Sequence, residues 1–266
     1  MRSFALTTTV GLGILLVTAA AHAADLRRPP PPAYVPPLFT WTGFYVGLNA
    51  GYGFADDNTA TTVGQVAINN STVADGARPT NVGLRPEGFI GGGQIGYNWQ
   101  TGAFVTGIEA DIQGADIEDS VTVVTVGRAF PGVRNNIFDQ KLEYLGTVRG
   151  RLGYAWDRTL IYGTGGFAYG GVNTSVNFFG PLPGNVLQFT GSSRSTETGY
   201  AVGGGIEQAF WQSWSLRAEY LFYHLDDTNV AVNVIPGSGG AGTGYIVNFK
   251  NEGHIVRAGL NYKFGM

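Results

Sequence analysis

The chain has 266 residues, no cysteine, 42 glycines, 13% aromatic and 13% charged residues, and a formal net charge of −3. Weak acidity without a Lys/Arg cluster lacks the electrostatic footprint of a nucleic-acid binder, and the missing cysteine excludes disulfides, thiolate metal sites and cysteine nucleophiles. So much glycine and aromatic residue, with scattered rather than continuous apolar runs, predicts a single all-β domain.

The first residues carry an export address. Arg2 gives a positive start, Val10 to Val17 an apolar core, and Ala21-His22-Ala23 a small-residue cleavage box, which predicts a signal peptide over residues 1–23. That core is short for an anchor, and no other stretch approaches the roughly 18 uncharged residues a spanning helix needs. If the chain enters a membrane, it does so as a barrel. Residues 24–40 hold Arg27-Arg28, Pro29 to Pro32, Pro36 and Pro37, and are expected to form an extended polyproline spacer.

From Trp41 onward, over residues 41–266, a strand-length pattern of period two recurs eight times. The first repeat, Trp41 to Phe54, sets Phe44, Val46, Leu48, Ala50 and Tyr52 against Gly43, Tyr45, Gly47, Asn49 and Gly51. The second, Gly88 to Trp99, sets Phe89, Ile95, Tyr97 and Trp99 against Gly92, Gln94, Gly96 and Asn98. The third, Ala103 to Gln113, sets Phe104, Ile108 and Ile112 against Gly107, Glu109, Asp111 and Gln113. The fourth, Leu142 to Trp156, opposes Tyr144, Val148, Leu152, Tyr154 and Trp156 to Glu143, Thr147, Arg149, Arg151 and Gly153. The fifth, Thr159 to Gly171, is so rich in glycine that its faces stay unassigned. The sixth, Thr198 to Phe210, sets Tyr200, Val202 and Ile206 against Ala201, Gly203, Gly205 and Glu207. The seventh, Trp214 to Leu225, carries Arg217 and Glu219 on its polar face, and the eighth, Gly253 to Phe264, carries Arg257, Asn261 and Lys263.

The connections alternate. Gln100-Thr101, Asp157-Arg158 and Trp211 to Ser213 are tight, whereas Ala55 to Glu87, Gly114 to Lys141, Val172 to Glu197 and Asp227 to Asn251 are long. This predicts an eight-stranded antiparallel up-and-down transmembrane barrel, with short turns and both termini in the periplasm and four long loops outside.

A soluble lipocalin-like barrel shares the periodicity with its apolar face inward. In a membrane, an outward polar face would place Glu109, Asp111, Arg149, Arg151, Glu207, Arg217, Glu219, Arg257 and Lys263 in lipid. Each would cost about 1–4 kcal/mol, a sum beyond the roughly 5–15 kcal/mol stability of a domain. The polar face is therefore expected inside. The export address and the aromatics gathered near the turns, where a girdle belongs, favour the membrane form.

The segments Phe39-Thr40-Trp41-Thr42-Gly43-Phe44-Tyr45-Val46-Gly47, Gly146 to Tyr154, Tyr162 to Gly170 and Arg217-Ala218-Glu219-Tyr220 resemble the alphaproteobacterial small outer-membrane β-barrel family, porin-like relatives of the OmpA barrel. The resemblance spans the mature chain and implies a fold and a location. It implies no single activity, since structural, pore, adhesin and haem-binding roles are all attributed to members. The last strand also resembles a barrel-assembly signal read by the assembly machinery, through Arg257, Gly259, Tyr262 and Phe264, although Gly265-Met266 follow the final aromatic.

The lumen charges admit two readings. Pairing of Glu109 and Asp111 with Arg149 and Arg151, Glu207 with Arg217, and Glu219 with Arg257 makes a plug; the same groups unpaired would line a narrow ion-selective pore. Near-balanced opposite charges favour the plug. Gly91-Gly92-Gly93-Gln94-Ile95-Gly96 fits a dinucleotide fingerprint by letter but lies in an alternating strand, so it reads as packing. His224 and His254 form a rim pair without an evident third ligand, and His224 with Asp226 or Asp227 is the only hint of catalysis, with no Gly-x-Ser-x-Gly elbow. No cofactor, no metal and no enzymatic activity are expected. The expected partners are outer-membrane lipid and lipopolysaccharide, the assembly machinery, peptidoglycan and, through the loops, phage or a host surface.

Overall fold

The computed structural model describes residues 39–264. The leader with its cleavage residues Ala21 and Ala23, the Pro-rich segment through Leu38, and Gly265-Met266 lie outside the described residues. The strands and helix are β1 (Gly43–Phe54), β2 (Asn58–Gly64), α1 (Ala67–Ala74), β3 (Asn81–Leu84), β4 (Glu87–Thr101), β5 (Phe104–Val126), β6 (Val133–Trp156), β7 (Thr159–Phe179), β8 (Leu187–Ala209), β9 (Trp214–Val234) and β10 (Gly244–Phe264).

Neighbouring long strands pair antiparallel, and β10 pairs with β1 from Phe44↔Phe264 to Phe54↔His254, so β1 and β4 to β10 close a ring of eight. The sheet as a whole has ten strands. β2 joins the far end of β10, from Gly64↔Tyr245 to Ala60↔Phe249, and β3 pairs with β2. At the opposite end, Gly102 and Asp157 adopt φ of 62° and 53°, as tight hairpin turns require.

Around the ring, apolar side chains point outward. Leu48, Trp99, Phe104, Ile112, Leu152, Trp156, Ile161, Ile206 and Val256 are all exposed on the outer wall. Such a continuous apolar belt is tolerable only against hydrocarbon. From Phe104 to about Gly114 its height matches the roughly 9–11 residues of a tilted membrane crossing.

The long connections depart from expectation: most of their residues are strand. Open links remain only at 127–132, 180–186 and 235–243, while 55–86 folds into β2, α1 and β3. The apolar phase reverses above the belt. On β7, Ile161 and Phe167 face out, whereas Val172, Val176 and Phe178 are buried inside and Asn173, Ser175 and Asn177 lie on the outer wall. This also assigns the fifth strand, with Tyr162 and Ala168 inward. Bulges shift the inward parity on β6 at Glu143 and on β9 at Asp226-Asp227, which keeps Leu142 and Phe138, and Val230 and Val232, inside above them. Glu143 is thereby turned out of the lumen and meets Arg194 at 2.7 Å, which corrects its expected inward placement.

Above the reversal the far ends of β5 to β10, with β2 and β3 in place of the shorter β1 and β4, enclose a second tier around Phe138, Phe178, Phe189, Val232, Tyr245, Val247 and Phe249. The 55–86 excursion straps the tips together. Asp75 accepts the N–H groups of Ala129 and Phe130 at 2.6 and 3.1 Å, and Asn69 Oδ1 accepts those of Thr243 and Gly244 at 3.1 and 3.2 Å. Buried Arg78 donates to Asn136 Oδ1 and the Phe179 carbonyl, both at 2.8 Å, and to Gln188 Oε1 at 3.2 Å, with its guanidinium 5.0 Å over Phe178. Burial among these groups pushes its pKa down to about 10.

Candidate functional site

The inward face of the ring, which is the candidate site, gathers four arginines (Arg149, Arg151, Arg217, Arg257) and four carboxylates (Glu109, Asp111, Glu207, Glu219), all buried. They arrive there because each lies at an inward position of a period-two strand, Arg149 opposite Glu109 and Arg257 opposite Glu219 in the ladder. Arg149 contacts Glu109 at 2.7 Å, Asp111 at 2.8 Å and Glu219 at 3.3 Å. Arg217 reaches Glu109 at 2.5 Å, and Arg257 binds Asp111 at 3.1 Å and also Glu219. Tyr45 donates to Glu109 at 2.6 Å and Tyr162 to Glu219 at 2.9 Å. With four charges of each sign and shared hydrogen bonds, the layer is neutral and cross-linked, the arrangement in which buried ions are tolerated.

Its pairing differs from expectation at Arg151, which leaves Glu109 and Asp111 to Arg149, Arg217 and Arg257, and at Glu207. Glu207 pairs with Arg151 two strands away, held also by Ser215 at 2.5 Å and Asn261 at 2.8 Å, while Arg217, its ladder neighbour, turns across the lumen to Glu109 on the opposite wall. In so narrow a cylinder the opposite wall is as near as the adjacent strand. Lys263 stands apart from this layer. It lies at the turn end, donating to the Thr40 carbonyl with its ammonium 4.6 Å from the Phe39 ring. The polar residues that complete the network (Tyr45, Asn49, Gln94, Thr147, Tyr162, Asn261) were not among the charged candidates. Their signal was inward parity alone.

Apolar layers lie on both sides of the ionic layer. Toward the turns lie Trp41, Val105, Ala155, Leu160, Tyr162 and Ala209. Toward the tier lie Ile90, Ile117, Leu142, Leu145, Ala168, Val172, Ala201, Leu221 and Ile255, with Ile117 Cδ1 only 2.3 Å from where a Gly53 Cβ would stand. A belt of Asn58, Gln140, Thr228 and Asn251 follows, then the tier core. One cavity of about 20 Å³ adjoins the ionic layer at Glu207 on the turn side, and one of about 10 Å³ lies beyond the tier-side apolar layer, among Ile117, Gln140, Leu142 and Asn251. Each is about the size of one water.

The other candidates disperse. His224 faces outward beside Glu252 at 3.2 Å, and His254, also outward, shares a 2.7 Å hydrogen bond with Tyr220 and lies 3.9 Å from Asp56. Asp226 accepts from Thr198 at 2.9 Å rather than engaging His224. Among the described residues no three His, Asp or Glu side chains gather as a metal site. In the glycine run, Gly92 and Gly96 face the lumen where a Cβ would meet Ile112 O at 2.0 Å and Tyr45 Oη at 2.5 Å. Tyr262 and Phe264 meet edge to face, ring centroids 4.9 Å apart, at the turn end of β10, with Gly259 and Arg257 inward above them.

The sequence matches the outer membrane protein beta-barrel domain family over residues 12–264. It is 34% identical over 254 residues to a 31 kDa outer-membrane immunogenic protein of Brucella melitensis, covering 94% of this chain and 95% of that protein. A 22 kDa outer membrane protein of Rhizobium leguminosarum bv. viciae is 29% identical, covering 87% of this chain and 82% of that protein. Among solved structures, the outer membrane protein OprG from Pseudomonas aeruginosa has a TM-score of 0.50 at 15% identity, covering 86% of this chain and 99% of that one, a likeness of fold alone.

Proposed function

The chain belongs to the outer membrane protein beta-barrel domain family, and from that premise we propose that it is a closed structural barrel, one that strengthens the outer membrane without conducting solutes or catalysing a reaction. One observation carries this reading: a neutral layer of four arginines and four carboxylates lies between two apolar layers, with a cavity of only about 20 Å³ beside it and one of about 10 Å³ beyond the tier-side layer. A hydrated ion needs a continuous polar path. Here even rearranged ion pairs would still face a dry layer on the tier side. The short turns are assigned to the periplasm and the tier to the outside, because the tier's polar outer wall suits water and the turns leave no strand to project on the other side. Arg257, Gly259, Tyr262 and Phe264 then serve as the signal read by the assembly machinery, and the wall above the belt meets lipopolysaccharide.

A strain lacking the chain is expected to lose resistance to detergents, and the full chain to restore it, with solute uptake unchanged throughout. Normal detergent resistance with slowed uptake would overturn the reading in favour of a channel.

A second reading has its own support. The tier tips expose Val124, Val126, Leu182 and Val186, and exposed apolar patches often mark contact surfaces. The relatives named immunogenic suggest surface display. Loss of attachment to host cells on placing aspartate at these four positions, with detergent resistance kept, would favour an adhesin.

A further inference from the structure

The two apolar layers are not equally complete. Toward the tier every strand of the ring contributes an apolar side chain or, on β1, a glycine packed against Ile117. Toward the turns only β5 to β8 do so, through Val105, Ala155, Leu160, Tyr162 and Ala209, with Trp41 laid across them. At the same height β9, β10, β1 and β4 present Ser215, Asn261, Tyr45 and Asn98. The cavity of about 20 Å³ opens on this polar side and is lined by Trp41, Asn98, Ser215, Asn261 and the Glu207 carboxylate.

Two of its lining groups are complementary. Trp41 and Asn98 are each 3% exposed, and among the described residues neither Trp41 Nε1 nor Asn98 Oδ1 has a hydrogen-bond partner. One is a donor, the other an acceptor, and leaving either buried without a partner costs about 1–3 kcal/mol. A water-sized cavity lined by such groups is a place that water fills.

We propose that the turn end holds a specific water-binding port. A water there accepts from Trp41 Nε1, donates to Asn98 Oδ1, and adjoins Glu207, the carboxylate of the ionic layer nearest the turns. The layer is thus hydrated and exchanges protons with the compartment at the turn end, the periplasm in the orientation proposed above. The port is independent of that orientation and of the structural role, and it permits water without giving ions a through path.

The test uses the mature full chain in lipid nanodiscs with ¹⁵N-labelled tryptophan. The chain has five tryptophans, so the Trp41 indole resonance is assigned by its loss in Trp41→Phe. The expected result is a water-exchange cross-peak at the Trp41 indole proton. An indole proton that stays silent toward water and resists deuterium for days would overturn the proposal. Filling the slot with Ser215→Val, in protein whose heat-modifiable gel migration shows it folded, should slow the exchange about tenfold or more. Unchanged exchange in that variant would overturn the assigned entry route.

Discussion

Below the phase reversal the ring is filled with Arg149, Arg217, Arg257 and their carboxylates; above it the same strands enclose Phe138, Phe178 and Phe249. The backbone construction is shared, and what differs is the medium outside the wall. Against hydrocarbon the apolar side chains of a two-faced strand must point out, leaving the polar ones to neutralise each other within. Against water the hydrophobic effect draws the apolar ones in. One strand such as β7 obeys both rules, changing over at Gly170 to Val172.

Breaking the ring should have the largest effect. Arg149→Leu leaves Glu109, Asp111 and Glu219 short of a shared cation, a loss of about 3–5 kcal/mol. Urea unfolding of the vesicle-folded protein should show it as a lowered midpoint for the whole barrel. A change below about 1 kcal/mol would mean that these ion pairs do not hold the barrel together.

The tier should fail locally. Phe178→Ala removes a fully buried ring, worth roughly 3 kcal/mol or more, yet limited proteolysis should cut only the far ends of β5 to β10, with ring and heat-modifiability intact. Loss of both together would contradict the separation of ring and tier.

Two glycines on adjacent paired strands sharpen the inside–outside distinction. A Cβ on inward Gly92 meets Ile112 O at 2.0 Å, whereas one on outward Gly114 meets nothing within 4 Å. Gly92→Ala should destabilise the barrel by about 1–3 kcal/mol and Gly114→Ala should leave its urea midpoint unchanged.

The smallest effect belongs to the strap. The Ala129 N–H, followed by that of Phe130, holds the Asp75 carboxyl below its usual range. A depressed carboxyl stabilises the fold above the ordinary Asp pKa, and that stabilisation fades as pH falls through the lower folded value. Proteolysis at 127–132 should therefore rise on acidification below about pH 4 in the wild type. In Asp75→Asn it should be high and flat, and equal pH responses in the two proteins would remove the strap from the account.

The ring was readable in the sequence because its phase is constant. Residues such as Leu152, Arg149 and Glu219 sit where alternation puts them, and the glycines that hid the fifth strand's faces did not disturb its placement. The tier was not readable, because a search for one phase ends a strand where the phase reverses, and the bulges at Glu143 and Asp226-Asp227 shift parity without any local mark. Glu143 was misplaced for that reason. The charged residues of the layer were readable as a set but not their partners, since Glu207 chooses Arg151 two strands away over Arg217 beside it, a choice of three-dimensional reach. Arg78 gave no signal at all, lying between α1 and β3 with its acceptors on β6, β7 and β8.

The closed lumen is tested most directly by single-channel recording of the refolded mature chain in planar bilayers across a salt series, beside a variant carrying Arg149→Leu and Arg151→Leu. Both proteins, once shown to be folded, should be silent, because the apolar layer from Ile90 to Ile255 remains when the ionic layer is cut. Discrete openings in the wild type whose size scales with salt and changes in the variant would contradict the account and make the charged lumen a pore.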